Sequence, residues 1–263
     1  MRATDLLEVI DAAHLSAYVE GLNGAVFPQR GGILFVGPPG ALKSTLIETA
    51  LEEYPAALVL SDLNTNSFRM IKEELISGRY LTIAFDEIEK IYQRGSATAA
   101  NVEGILKALP EQGYKQLASQ DPQMAVLKAR ALVVGGMTYS FYEAQFNRWK
   151  MNGFARRFLW IVIRLHDPAA IIEAIHQWKL IPLDGINRRT PGNRRIEMSV
   201  TEAESAFIQK IVSQQPGDST PYVLVKKILS VLKWKFARKP GEPMRILQAL
   251  APTLTRKGGE IEL

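Results

Sequence analysis

The chain contains no cysteine among its 263 residues. Disulfides, thiolate zinc sites and a cysteine nucleophile are thereby excluded. Histidine is scarce: His14, His166 and His176 lie far apart, and without close ligand spacing they do not predict a metal site. No apolar run approaches the roughly 18 residues that a membrane span requires. The opening Met1-Arg2-Ala3-Thr4-Asp5 lacks the basic-then-apolar layout of a signal peptide. Internal repeats and low-complexity tracts are also missing. A soluble, cytoplasmic protein with no membrane partner is the expectation.

What is present suits a globular domain. The hydrophobic fraction of 47% supports one sizeable core, or a core with a small appendage. The net charge of +5 is unevenly spread: residues 1–135 carry −4 and residues 136–263 carry +9. Such asymmetry favours a face that meets a polyanion such as nucleic acid, over a basic surface serving solubility alone.

Residues 5–20 alternate at helical spacing (Leu6, Leu7, Ile10, Ala13, Leu15, Tyr18). Short apolar runs at 33–36, 57–60, 80–85, 131–134 and 159–165 read as strands. Helices are expected at 44–53, from a cap at Asn66 or Ser67 to Ile76, and at 99–109. Apolar strands separated by helices predict an α/β fold, a parallel sheet covered on both faces. Residues 182–195 (PLDGINRRTPGNRR) read as a basic linker between a core at 1–181 and a small C-terminal helical lid at 196–263, helical over 201–214 and 221–239. The final residues suggest a turn and the start of a strand.

Two segments carry the chemistry. After the strand Ile33–Val36 comes Gly37-Pro38-Pro39-Gly40-Ala41-Leu42-Lys43-Ser44-Thr45, followed by a helix. This fits G-x-x-x-x-G-K-[ST], the phosphate-binding P-loop. Backbone N–H groups would cradle the phosphates of ATP, Lys43 would reach the β- and γ-phosphates, and Ser44 would hold Mg²⁺. Leu42 departs from the pattern, since glycine at that position permits unusual backbone angles and close approach. The expectation is either a different loop geometry or weaker nucleotide binding. The second segment is the strand 80–85 followed by Asp86-Glu87. Carboxylates at the end of an apolar strand are costly unless they serve something. Asp86 is expected in the Mg²⁺ shell and Glu87 beside the attacking water.

These residues resemble a known group. Phe85-Asp86-Glu87-Ile88-Glu89-Lys90-Ile91 is similar to the Asp-Glu-Phe-Asp-Lys-Met stretch of minichromosome-maintenance helicases, members of the AAA+ superfamily with a pre-sensor hairpin. That family's phosphate loop also replaces the second glycine, with alanine. Leu106–Gly113 resembles its helix ending in Glu-Gln-Gln, and Tyr114–Arg130 resembles its hairpin, with turn chemistry at Ser119-Gln120-Asp121-Pro122. Thr138 falls at the polar sensor position. Phe154-Ala155-Arg156-Arg157-Phe158-Leu159 resembles Leu-Ser-Arg-Phe-Asp, which places Arg157 at the arginine finger and Arg156 beside it. The resemblance implies a P-loop NTPase of AAA+ type, assembled as a homo-oligomeric ring of six with shared sites; the cytoplasm of a prokaryotic or phage-infected cell is the expected setting. Several features depart from that family. No DNA-binding domain is expected ahead of the module, the stretch between Leu60 and Tyr80 is short, and Tyr222 stands at the sensor arginine of the lid, with Lys226 and Lys227 nearby.

The hairpin would offer Lys115, Gln116, Ser119, Gln120 and Lys128 to a DNA backbone, and the linker Arg188, Arg189, Arg194 and Arg195. A structural hairpin is the competing reading, as are local ion pairs for Arg156-Arg157 and a local cap for Thr138. Residues 226–239 hold six basic residues and no acid. Their apolar stripe (Val225, Ile228, Leu229, Leu232, Phe236) reads as core and the lysines as a solvated face. The tryptophans 149, 160, 178 and 234 read as core. The leading function is an ATPase acting on DNA as helicase, helicase loader or translocase. The alternatives are a protein-remodelling ATPase and a nucleotide-binding scaffold with little turnover.

Overall fold

The computed structural model of the chain describes residues 1–20, 29–93, 95–114, 128–163, 168–180, 195–212 and 219–254. The proposed contacts Lys115, Gln116, Ser119, Gln120, Arg188, Arg189 and Arg194 lie outside the described residues, as do His166 and the chain end from residue 255. The chain opens with helix α1 (Ala3–Leu15) and strand β1 (Val19–Glu20). Strand β2 (Gly32–Val36) leads into α2 (Lys43–Leu51), and β3 (Ala57–Leu60) into α3 (Thr65–Ser77). Then come β4 (Thr82–Phe85), α4 (Glu89–Tyr92), α5 (Ser96–Ala108), β5 (Leu132–Met137), α6 (Tyr139–Met151), β6 (Leu159–Val162) and α7 (Pro168–Lys179). Strand β7 (Ile196–Glu197) precedes α8 (Glu202–Val212), α9 (Ser219–Lys235) and α10 (Glu242–Leu250).

Five strands form one sheet in the order β3-β4-β5-β2-β6. Every neighbouring pair is parallel. Side chains alternate across a strand, so an apolar run buried on both faces feeds two cores. Ile33 and Phe35 of β2 join α1, α2 and α7–α10 on one face. Leu34 and Val36 join α3, α5 and α6 on the other, where Trp149, Trp160, Phe154 and Phe158 pack together. Strands β1 and β7 make a separate parallel pair. Among the described residues no helix is long and apolar enough to cross a membrane. Helix α3 is capped by Asn64, whose side chain accepts from the N–H groups of Asn66 and Ser67, not by Asn66 or Ser67 themselves.

Helix α1 is buried on nearly every side. Asp5, Glu8, Asp11 and His14 form a polar stripe at three-residue spacing and are at most 8% exposed. Each finds a partner elsewhere. Arg245 of α10 bonds Asp5 at 2.7 Å. Lys235, at the end of α9, is fully enclosed between Glu8 and Asp11. Burial opposes its charge, but Asp11 and Glu8 outweigh that and hold the ammonium above the usual lysine range. The expected solvated face of 226–239 is thus corrected at Lys227 and Lys235. Both are buried, because acids or carbonyls on other elements receive them. Trp234 is also corrected: it is 37% exposed, while the other three tryptophans are buried.

The far end of the stripe reaches the sheet. The Tyr54 hydroxyl donates to Asp11. The His14 ring lies on Tyr54 with centroids 4.3 Å apart, and its Nδ1 is 2.8 Å from Thr82 Oγ1 on β4. Burial pushes the His14 imidazole down to about 4; Asp11 opposes the shift and Arg30 adds to it. A neutral ring is therefore built into the fold. Between pH 6.5 and 4 the unfolded chain takes up a proton that the folded ring refuses, so stability falls as pH drops through that window. The contribution at stake is about 3 kcal/mol. His14→Gln should flatten the loss of stability between pH 6.5 and 4, as measured by urea unfolding; equal slopes in both proteins would show that His14 is not held neutral.

Candidate functional site: a phosphate-type loop facing an acidic strand end

Strand β2 ends at Val36, and α2 begins at Lys43. Between them, residues 37–42 turn the chain at the carboxyl edge of the sheet, where open α/β folds place their ligands. Gly40 has φ 78° and Leu42 has φ 51°, ψ 29°. Leu42 is the one non-glycine residue with positive φ among the described residues. Leucine has therefore taken up the left-handed conformation that glycine adopts freely. That conformation costs a non-glycine residue roughly 1–2 kcal/mol. Packing of the Leu42 side chain against the core beside α2 offsets part of it.

Lys43 is 8% exposed. Its ammonium donates to the carbonyls of Gly37 at 3.0 Å and Pro38 at 2.8 Å, both in its own loop. Burial lowers its affinity for a proton, while Glu89 and Glu87 act in the opposite sense. A cation bonded only to loop carbonyls, with helix N–H groups beside it, is suited to an anion such as phosphate.

Strand β4 delivers the acids. β5 lies between β4 and β2, and Gly136 of β5 lets the two sides approach. A Cβ there would lie 3.0 Å from the Asp86 carbonyl and 3.2 Å from Lys43 Cβ. The Ser44 hydroxyl donates to the Asp86 carbonyl at 3.2 Å. Asp86 Oδ1 is buried and has no hydrogen-bond partner among the described residues. Glu48, one turn after Ser44, has its carboxyl pushed up by burial and by the charge of Asp86 beside it. A hydroxyl, an unpartnered carboxylate oxygen and a second carboxylate in one place fit a hard divalent cation. The described residues contain no cluster of three His, Asp or Glu side chains able to hold a metal by themselves.

A cleft of about 270 Å³ opens here, lined by the loop, Thr45, Glu87, Glu89, Met137 and Thr138. Glu87 is exposed and lies 3.5 Å from Lys90. Thr138 stands at the end of β5, and its hydroxyl caps α6 by accepting from Phe141 N–H at 3.3 Å. Its own N–H donates to Glu89. The sequence alone does not point to Glu48, Glu89 or Gly136 as parts of this cleft. Glu89 carried a signal, two residues after Glu87 in the acidic block, whereas Glu48 and Gly136 become visible only through packing.

Other expected residues lie elsewhere. Arg156 and Arg157 precede β6, at the edge of the sheet opposite the loop, a strand length of roughly 15 Å away. Arg156 is exposed. Arg157 is half-buried, 2.9 Å from Glu111 and donating to the Gly153 carbonyl. Glu111 also accepts from Thr220 of α9 at 2.6 Å. Tyr114 and Ala129 form an antiparallel bridge, and Lys128 beside it is exposed. Arg195 is exposed and paired with Glu20 at 2.8 Å. Tyr222 lies 3.1 Å from Ser205, with Lys226 over its ring.

A five-stranded parallel sheet flanked by helices, with this strand–loop–helix at its carboxyl edge, is compatible with a P-loop NTPase fold. No protein-family profile matches the chain. No curated protein matches it either. Among solved structures it is similar to a chain described as the active helicase Cch of SCCmec type IV, with a TM-score of 0.43 and 13% identity. The match covers 99% of this chain and 45% of that one, so this chain spans less than half its length. At that level of likeness no functional reading rests on it.

The loop conformation is open to test. Leu42→Gly should leave stability within about 1 kcal/mol, because relief of strain offsets lost packing and a freer unfolded chain. Leu42→Val should cost about 1–3 kcal/mol, since a β-branched residue resists positive φ. Urea unfolding of both variants measures this. A fully tolerated valine would mean that the loop does not adopt the left-handed turn.

Proposed function

We propose that the chain is an ATPase of AAA+ type that binds ATP with Mg²⁺ in this cleft and couples hydrolysis in an oligomeric ring to work on DNA. The observation that carries the reading is the convergence of Lys43, Ser44, Asp86 and Glu87 across the bare Gly136 backbone. The loop N–H groups would bind the β- and γ-phosphates, and the Lys43 ammonium would turn to them from the carbonyls it now bonds. Ser44 and Asp86, with Glu48 near, would hold the Mg²⁺, which supplies positive charge to the phosphates. Glu87, exposed on the cleft, would orient the attacking water and take its proton. Thr138 and Glu89 would close the cleft on the side of the γ-phosphate.

Arg156 and Arg157 are too far from the chain's own loop to serve it, which supports shared sites between subunits and a heterologous ring. Arg156 is the arginine free to reach a neighbour, while Arg157 is engaged by Glu111. Residues 1–181 would form the ATPase core, 182–195 the linker and 196–263 the lid. DNA is favoured as the polymer by the basic second half and by exposed Lys128 and Arg195. A second reading, a nucleotide-binding scaffold with slow turnover, is favoured by one observation: the Leu42 side chain at a position where phosphate loops keep glycine.

Lys43→Ala should abolish ATP binding by calorimetry, and Glu87→Gln should bind ATP yet hydrolyse it about 100-fold more slowly or worse. Normal binding by the first or normal turnover by the second would reject the site. Single-stranded DNA should stimulate the wild-type rate. Tight ATP binding without phosphate release would favour the scaffold, and stimulation by a protein client in place of DNA would favour a remodelling ATPase.

The two arginines should separate. Arg156→Ala should lower ATPase activity by about 10³-fold or more while leaving ATP affinity and thermal stability in place. Arg157→Ala should lower stability, since it strands Glu111. Activity retained in Arg156→Ala and lost in a stably folded Arg157→Ala would reverse the roles.

A further inference from the structure

The edge of the sheet opposite the cleft gathers cations that the proposed ATPase reaction does not use. The main-chain N–H groups of Arg30 and Gly31, just before β2, donate to the Pro110 carbonyl at 2.8 and 3.0 Å. Arg130 stands just before β5. The register places Gly32 opposite Val133. Extended backwards, it sets Arg130 level with Gln29. The stem of Arg130 lies against the Pro110–Gly113 turn, where a Cβ on Gly113 would come within 2.9 Å of Arg130 Cγ. From α9, Leu224 packs against Gly31, and one turn later Lys227 donates to the Gln29 carbonyl at 2.8 Å. Three cationic side chains from three elements thus meet around residues 29–31.

The charges of the two arginines are poorly compensated among the described residues. The Nε atoms of Arg30 and Arg130 are both buried without a hydrogen-bond partner. Arg30 bonds the Ala17 carbonyl through its terminal nitrogen at 2.7 Å. Burial lowers its proton affinity, and Arg130 and Arg195 add to that; the Tyr18 phenol is the one group acting the other way. Lys227 is pushed down to about 8 by burial and by Arg30. The adjacent acids are engaged: Glu20 with Arg195, and Glu111 with Arg157 and Thr220. Collecting like charges in a half-buried place is unfavourable unless an anion completes it.

We infer that Arg30, Arg130 and Lys227 form a phosphate-binding site at the edge of the sheet remote from the nucleotide cleft. Two arginines with free Nε–H donors and a lysine match the oxygens of a phosphate group. That group could be carried by a nucleic-acid strand or be free. The inference does not rest on the ATPase reading, and its test is made in Lys43→Ala protein so that the loop does not supply the anion site. In phosphate-free buffer, saturating pyrophosphate should raise the thermal midpoint by about 5 °C. Adding Arg130→Gln, or separately Lys227→Met, should weaken that effect at least about tenfold in pyrophosphate concentration, and Arg130→Lys should restore part of it. A labelled single-stranded oligonucleotide, followed by anisotropy, identifies the source. Binding that pyrophosphate displaces assigns the site to a strand's phosphates. Stabilisation by pyrophosphate without oligonucleotide binding assigns it to free phosphate. No response to either probe, or a response that survives both added substitutions, would overturn the site.

Discussion

The enclosed ammonium of Lys235, held by Glu8 and Asp11, fixes how the two ends of this chain meet. Desolvating three charges costs several kcal/mol per ion, and their mutual attraction offsets this only in good geometry. That geometry requires α9 to lie along α1. Helix α1 also packs against α2, so the loop's helix is backed by a layer held by an ion cluster that joins residues 227 and 224 positions apart in sequence. Arg245 with Asp5 repeats the arrangement one step further along α1.

The cleft follows a different logic. Its parts are left with unmet bonding capacity: Lys43 turned back on its own loop, Asp86 with an unpartnered oxygen, Glu48 crowded against Asp86. Leu42 adds backbone strain at the mouth of the same site. Such local conflicts concentrate where a fold is built to accommodate something else. Gly136 shows how closely the parts are drawn together, since a side chain there would crowd both the Asp86 carbonyl and the Lys43 stem.

Much of this architecture could be read from sequence. The five strands were legible because parallel strands buried on both faces are short unbroken apolar runs, and the phosphate-type loop because its glycines, lysine and flanking elements occur in fixed order. Legibility failed where tertiary partners override local pattern. Nothing in the sequence around Asp5, Glu8 and Asp11 announces Arg245 and Lys235 as their partners. The lysines of α9 look solvated for the same reason. Helices α6, α7 and α10 carry little local signal: α6 starts at a Thr138 cap that also fits a sensor position, and its buried Tyr142 and Trp149 are two residues in a largely polar stretch. Arg157 illustrates the same limit, since nothing near it in sequence announces Glu111 as its partner.

Glu111 has a wider consequence. One of its oxygens serves the guanidinium before β6, and the other the first turn of α9. A single carboxylate thus acts as a rivet through three separate stretches of chain. Any tilt of α9 at that turn must drag the arginine or shear the rivet, which makes the start of the C-terminal helices and the far rim of the sheet mechanically one piece.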